Sequence, residues 1–141
     1  MLVTVDTSRS VLVVEDDEVI RELITMIFTD EGHTVVCAEG TDAALQLARE
    51  HQPDLILLDL SLPGLPGEAF IAAYRQLPNA TASIVVISGH ANLAAVAARA
   101  GADAYVAKPF DLTALLDTVQ ALFAVRSASS PHGAATDSGR D

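Results

Sequence analysis

Cationic side chains are scarce in this chain of 141 residues. Lys and Arg number 8 against 19 Asp and Glu, a formal net charge of −11. That balance argues against nonspecific nucleic-acid binding, which needs a basic face to displace counterions from phosphates, and against docking on anionic membranes. It leaves basic partners and divalent cations open. Cysteine occurs once, as Cys37, so no internal disulfide can form. The expectation for Cys37 is a small buried core residue in a reducing cytoplasm. Trp is absent and aromatics make up 4% of the chain, so the core has to come from Leu, Val, Ile and Ala. No apolar run approaches the roughly 20 residues needed to span a bilayer. The opening MLVTVDTSRS has no basic region followed by a long apolar stretch, so no signal peptide is expected.

Half of the residues are hydrophobic, and they fall in short blocks. VLVV (11–14), HTVVCA (33–38), DLILLD (54–59), SIVVIS (83–88) and ADAYVA (102–107) are apolar runs of strand length. Helical spacing alternates with them. Ile20, Leu23, Ile24, Ile27 and Phe28 recur at i, i+3, i+4, i+7 and i+8, the stripe of an amphipathic helix, and Gly32 stops it. Ala44, Leu45 and Ala48 mark a second helix, capped by Thr41 or Asp42 and ended at Gln52-Pro53. Phe70, Ile71, Tyr74 and Leu77 mark a third, which Pro78 stops. Residues 91–100 read as an Ala-rich fourth helix ended by Gly101. Asp111 caps a fifth, with Leu112, Leu115, Leu116, Val119, Leu122 and Phe123 on its apolar stripe. Strand and helix alternate five times, which implies an α/β fold: a doubly wound, five-stranded parallel sheet with right-handed crossovers and helices on both faces. Residues 1–9 read as a short leader, 10–125 as one domain and 126–141 as a disordered tail.

In an open parallel sheet, ligands bind at the carboxyl ends of the strands. Glu15, Asp16 and Asp17 follow the first strand, Asp59 ends the third, Ser88 ends the fourth and Lys108 follows the fifth. Carboxylates converging on one crevice need a counter-charge. Lys108 is one, and oxygen-only ligands suit Mg²⁺ as a second. Neither His nor Cys occurs at zinc spacing. Asp59 is therefore a candidate nucleophile toward phosphorus, with Lys108 and Mg²⁺ to neutralise phosphoryl oxygens and Ser88 as a donor to them. Simpler roles stand beside these. Asp59 could cap a turn, Glu15 and Asp16 could line a solvated turn, Ser88 could cap the next helix, and Tyr105 could be ordinary packing.

VLVVEDDEVIRE, LILLDLSLPGLPG, VVISGHA and AYVAKPF, in that order and at strand ends, resemble the receiver domain of two-component response regulators over roughly residues 10 to 125. The resemblance implies the flavodoxin-like strand order 2-1-3-4-5. It implies that Asp59 accepts a phosphoryl group from the phosphohistidine of a sensor histidine kinase or phosphotransfer protein. It implies that Glu15, Asp16, Asp59 and the backbone carbonyl of Ser61 hold Mg²⁺, with Asp17 capping the first helix. Ser88 and Tyr105 fill the switch positions, and Lys108-Pro109 matches a Lys-Pro whose peptide bond is typically cis. Signalling to a downstream partner protein is expected through the face of helix four, strand five and helix five, and a homodimer is compatible with it. The expected molecule is a cytoplasmic, stand-alone phosphoacceptor with its own dephosphorylation and no turnover of other substrates.

Two positions depart from the family's pattern. Pro66 stands where an acidic residue usually precedes the second Gly of the loop, and is expected in the first turn of helix three. His90, two residues past Ser88, is expected to face solvent near the site, where it would tune water access. A phosphatase of the haloacid-dehalogenase kind also uses a strand-end Asp, Lys, Ser and Mg²⁺, but needs a second Asp two residues on, where this chain has Ser61. A non-phosphorylated pseudo-receiver that only binds partners is the third reading.

Overall fold

The five apolar runs form five strands: β1 (Ser10–Val14), β2 (Thr34–Ala38), β3 (Leu55–Asp59), β4 (Ser83–Ser88) and β5 (Ala104–Ala107). All pairings are parallel, in the order β2-β1-β3-β4-β5. Between and after them run α1 (Glu18–Asp30), α2 (Thr41–His51), α3 (Gly67–Arg75), α4 (Leu93–Ala100) and α5 (Leu112–Ala128). The computed structural model describes residues 8–62, 64–89 and 91–128. Residues 1–7 of the leader, Pro63 of the loop, His90 and residues 129–141 lie outside the described residues. The chain divides into two units, Met1–Pro109 and Phe110–Asp141.

In the first unit, β1, β3 and β4 are buried along almost their whole length. This is the cost-free arrangement for runs such as LILL, because alternate side chains point to opposite faces and both faces are covered. Leu12, Val14, Ile56, Leu58, Ile84 and Val86 share one face with Ala44 and Ala48 of α2, Phe70, Ile71 and Tyr74 of α3, and Leu93 and Ala97 of α4. Val11, Val13, Leu55, Leu57, Val85 and Ile87 alternate with them and are equally buried. On this second face lies α1, which buries Ile24 and Phe28. Each such side chain contributes about 1.5–3 kcal/mol on leaving water.

The helix ends follow local chemistry. Asp17 caps α1 as expected, its carboxylate accepting from Ile20 N–H at 3.1 Å. For α2 the expected cap does not form. Gly40 is the cap residue, and Thr41 Oγ1 donates to Leu65 O at 3.1 Å instead. α4 begins at Leu93 and not at residue 91, because Asn92 takes a non-helical backbone with φ −109° and ψ 47°. Gly101 ends it at φ 84°. Pro66 directly precedes α3 as its cap residue and not within its first turn.

Two other expectations are corrected. Leu23 of the α1 stripe is 42% exposed. Cys37 is also exposed, because β2 is the edge strand; its Sγ stands 3.3 Å from Thr25 Oγ1 of α1. In the second unit, α5 runs on through Ala128. Asp111 caps it, accepting from Ala114 N–H at 2.6 Å, and Leu115 and Val119 are buried.

The Thr41–Leu65 bond ties the start of α2 to the loop that follows Asp59. Gly64 in that loop has φ +98°, and a Cβ there would stand 2.7 Å from Thr41 Oγ1. Gly64→Ala is therefore expected to lose about 2 kcal/mol in chemical denaturation, from left-handed backbone strain and displacement of Thr41. Gly101→Ala, with φ +84° but open space around it, should lose less. Equal losses would show that the Thr41 contact contributes nothing.

Candidate functional site

The parallel order puts the carboxyl ends of all five strands on one edge of the sheet, and the hydrogen-bond ladder continues one residue past them. Glu15 N–H donates to Ala38 O at 3.0 Å, Leu60 N–H to Ile87 O at 3.1 Å and Lys108 N–H to Ser88 O at 2.8 Å. The backbones that carry the chemical side chains are thus part of the sheet rather than of free loops, which fixes them before any ligand arrives.

Asp59 is 2% exposed and Glu15 is 2% exposed. Lys108 Nζ donates to Asp59 Oδ2 at 2.8 Å and to Glu15 Oε1 at 3.2 Å, bridging the two carboxylates. The other oxygen of Asp59, Oδ1, accepts from Ser61 N–H at 2.9 Å and from Ser61 Oγ at 2.7 Å. Glu15 Oε2 accepts from Asp17 N–H at 3.1 Å, and the Glu15 carbonyl accepts from the Arg21 guanidinium at 3.0 Å. Asp16 is exposed, yet one carboxylate oxygen from each of Glu15, Asp16 and Asp59 lies within 4.8 Å of the others. Ser88 is buried at the end of β4. A cavity of about 430 Å³ is lined by Ser61 and Ser88 together with Leu60, Gly67, Glu68 and Val96.

The charges within this cluster work against one another. Burial pushes the Glu15 carboxyl up, the Asp59 charge adds to that, and the Asp17 N–H and Lys108 oppose it without cancelling it. Burial also acts to raise Asp59, but the bond from Lys108 and both bonds from Ser61 outweigh it, so its carboxyl is held below the ordinary value of 3.8. Burial acts to lower Lys108, but its bond to Asp59 and the charges of Asp59 and Glu15 raise it, so it stays an ammonium.

The sequence-predicted residues Glu15, Asp16, Asp59, Ser61, Ser88 and Lys108 thus all come to one edge. Tyr105 stands on β5 at 47% exposure, outside this cluster. The peptide bond Lys108–Pro109 is cis. Two contributions were not foreseen. One is the Ser61 hydroxyl on Asp59, where the sequence points only to the Ser61 carbonyl. The other is Arg21, whose place one turn into α1 was the available signal.

A doubly wound sheet with an acidic crevice at its carboxyl edge, a buried strand-end aspartate and a lysine bridging it to a second carboxylate defines a receiver-type phosphoacceptor architecture. The comparisons with known proteins give the family. The response regulator receiver domain model matches residues 11–120. The transcriptional regulatory protein CseB of Streptomyces coelicolor is 36% identical over 114 residues, covering 79% of this chain and 48% of CseB. The DNA-binding response regulator MtrA of Mycobacterium tuberculosis is 38% identical over 120 residues, covering 82% of this chain and 51% of MtrA. The chain spans about half the length of these curated relatives. Among solved structures, a putative response regulator of Chloroflexus aurantiacus superposes with a TM-score of 0.75 at 29% identity, covering 83% of this chain and 98% of that one. The receiver domain of the Pseudomonas aeruginosa sensor histidine kinase PA1611, solved with a magnesium ion coordinated in its active-site cleft, gives 0.75 at 26%, covering 83% and 98%. The chain belongs to the response regulator receiver family. Phosphorylation and Mg²⁺ dependence are general properties of that family. Among the described residues no helix is long and apolar enough to cross a membrane.

Proposed function

We propose that Asp59 is the phosphoacceptor of this receiver, taking its phosphoryl group from the phosphohistidine of a histidine kinase or phosphotransfer protein. The observation that carries this is the state of the Asp59 carboxylate. It is almost wholly buried, yet held ionised by Lys108 at 2.8 Å and aimed into the crevice at the end of the central strand. An ionised, fixed carboxylate is a nucleophile that needs no base to activate it.

The donor set fits Mg²⁺. Three carboxylates within 4.8 Å of one another and one bridging ammonium leave a formal charge of −2 when all are ionised, and every ligand on offer is a hard oxygen. Glu15, Asp16, Asp59 and the Ser61 carbonyl are the residues that would hold the ion, and its charge would offset that of the phosphoryl oxygens. Lys108 and Ser88 would meet those oxygens. Aspartyl phosphate adds negative charge and strong acceptors where Lys108 and Ser88 stand. Their reorientation, followed by Tyr105 of β5, would bias the surface of α4 and β5 toward a partner protein. The acidic balance of the chain supports a protein partner for this domain rather than nucleic acid or a membrane, and a cytoplasmic setting suits a kinase partner.

Incubation with acetyl phosphate and Mg²⁺ should add one phosphoryl group by intact mass, and Asp59→Asn should add none. Uptake that persists in Asp59→Asn sinks the assignment.

A further inference from the structure

We infer that Arg21 is a positioning residue for the divalent cation: by holding the carbonyl of Glu15, its guanidinium sets where Asp16 stands. The inference rests on the reading of Glu15, Asp16, Asp59 and the Ser61 carbonyl as the residues that would hold Mg²⁺. Glu15 and Asp16 are consecutive, and in an extended chain consecutive side chains point to opposite faces. Here one oxygen of each comes within 4.8 Å of the other and of Asp59. The backbone therefore has to turn between them. It does so at once, since β1 ends at Val14, the chain bends at Asp16 and α1 begins at Glu18. The peptide joining Glu15 to Asp16 is where sheet gives way to helix, and its orientation decides where the Asp16 carboxylate lies.

Two of the three carboxylates are held by bonds to their own oxygens. Ser61 and Lys108 hold Asp59, and Lys108 and Asp17 N–H hold Glu15. Asp16 is exposed, so its placement depends on the backbone that carries it. Glu15 N–H stays on the sheet ladder, donating to Ala38 O at 3.0 Å. The Glu15 carbonyl accepts from Arg21 Nη1 at 3.0 Å. Arg21 is itself anchored. Its N–H donates to Asp17 O at 2.9 Å, and its carbonyl accepts from Thr25 Oγ1 at 2.7 Å. Its side chain is 17% exposed. Glu39, at 3.9 Å and 76% exposed, is too distant and too hydrated to direct it. The guanidinium thus straps α1 back to the end of β1 across the segment that carries Asp16. Groups that orient a metal ligand from behind commonly change metal affinity roughly 10- to 100-fold when removed. The charge of Arg21 acts in the opposite sense, because a cation near the site repels Mg²⁺. Removal of the side chain would tighten Mg²⁺ binding through charge alone and weaken it through positioning, so the sign of the change tells the two apart.

The test is a Mg²⁺ titration of the full chain, followed by backbone amide NMR shifts at a temperature where every variant is folded. Arg21→Met should bind Mg²⁺ about tenfold more weakly than wild type. Arg21→Lys keeps the charge and one donor and should recover part of the affinity. Tyr74→Phe loses a buried bond to Ala82 N–H, just before β4, and should keep the wild-type Kd. An Arg21→Met Kd equal to or tighter than wild type overturns the inference. So does an Arg21→Lys variant no better than Arg21→Met, or a Tyr74→Phe variant weakened as much. Asp16→Ala run alongside separates the two readings. Lost binding in Asp16→Ala with an unchanged Arg21→Met sinks the role of Arg21 alone, whereas wild-type binding in Asp16→Ala sinks the proposed ligand set and the role of Arg21 with it.

Discussion

Lys108→Met should destabilise the metal-free protein by about 3–5 kcal/mol, and Mg²⁺ should return much of the loss. The substitution keeps the length of the side chain and removes its charge. What remains is Glu15 and Asp59, each 2% exposed, facing one another without the ammonium that stands 3.2 and 2.8 Å from them. Two adjacent buried carboxylates cannot both stay ionised cheaply. The fully paired state is stabilised far less than the broken state is penalised, which is why removal of one partner is the informative change.

The pH dependence of that loss has a definite sign. Burial and the Asp59 charge already raise Glu15 above its ordinary value of 4.5. The folded protein therefore takes up this proton at a pH where the unfolded chain does not, so acidification from neutrality toward 4.5 stabilises the fold through Glu15. Asp59 acts in the opposite sense. Its lowered carboxyl contributes stability that is present above 3.8 and is lost only as pH falls through the folded value. Without Lys108 the Glu15 carboxyl rises further, so the variant gains more than wild type on acidification and the two denaturation curves draw together between pH 7 and 4.5. Burial lowers His33, which faces Glu31, Arg9 and Asp54 and works against stability as pH falls below 6.5. It does so in both proteins and cancels from the difference. A variant whose stability tracks wild type at every pH, with and without Mg²⁺, would falsify the view that Lys108 neutralises a buried pair.

The same burial explains why the site was legible in the sequence. An acid directly after a run such as LILL or VLVV has to surface where the strand ends, and parallel strands end on one edge. Asp59, Glu15 and Lys108 could therefore be placed together before any coordinates. Strand β4 was read to the residue for the same reason, since SIVVIS is buried throughout. The misreadings share a different physics. Cys37 sits in an apolar run that looks buried, but its exposure depends on β2 being the edge strand, which no local pattern encodes. Leu23 keeps helical spacing but falls on the margin of the stripe. The start of α4 was misjudged because alanines favour helix at any position, while the backbone of Asn92 decided the boundary. The Ser61 hydroxyl was missed because a side-chain rotamer, unlike a strand end, is chosen by the neighbour it finds, here Asp59 Oδ1.

Tyr74→Ala should cost about 4 kcal/mol or more, and Tyr74→Phe about 1–3 kcal/mol, measured by chemical denaturation. Tyr74 is 2% exposed, among the largest fully buried side chains, and packs in the cluster with Ile71, Ala82 and Ile84. Truncation to alanine leaves a cavity where the ring was. Its hydroxyl also accepts from Ala82 N–H at 2.8 Å, one residue before β4 begins. That amide is 1% exposed at its residue, so phenylalanine strands a buried donor while leaving the packing intact, and the difference between the two variants separates cavity from hydrogen bond. The neighbouring Arg75 pins the same corner, donating to Ala82 O at 3.1 Å and pairing with Asp103 at 3.3 Å, whose carboxylate takes Ile84 N–H at 2.7 Å. All of these contacts hold the amino end of β4, whereas Ser88 stands at its carboxyl end. Tyr74→Phe should therefore lower stability and leave the rate of phosphoryl uptake at Asp59 unchanged below the unfolding transition. A slowed rate in a folded Tyr74→Phe protein would mean that the amino-end clamp sets the position of Ser88, and that stability and chemistry are not separable along this strand.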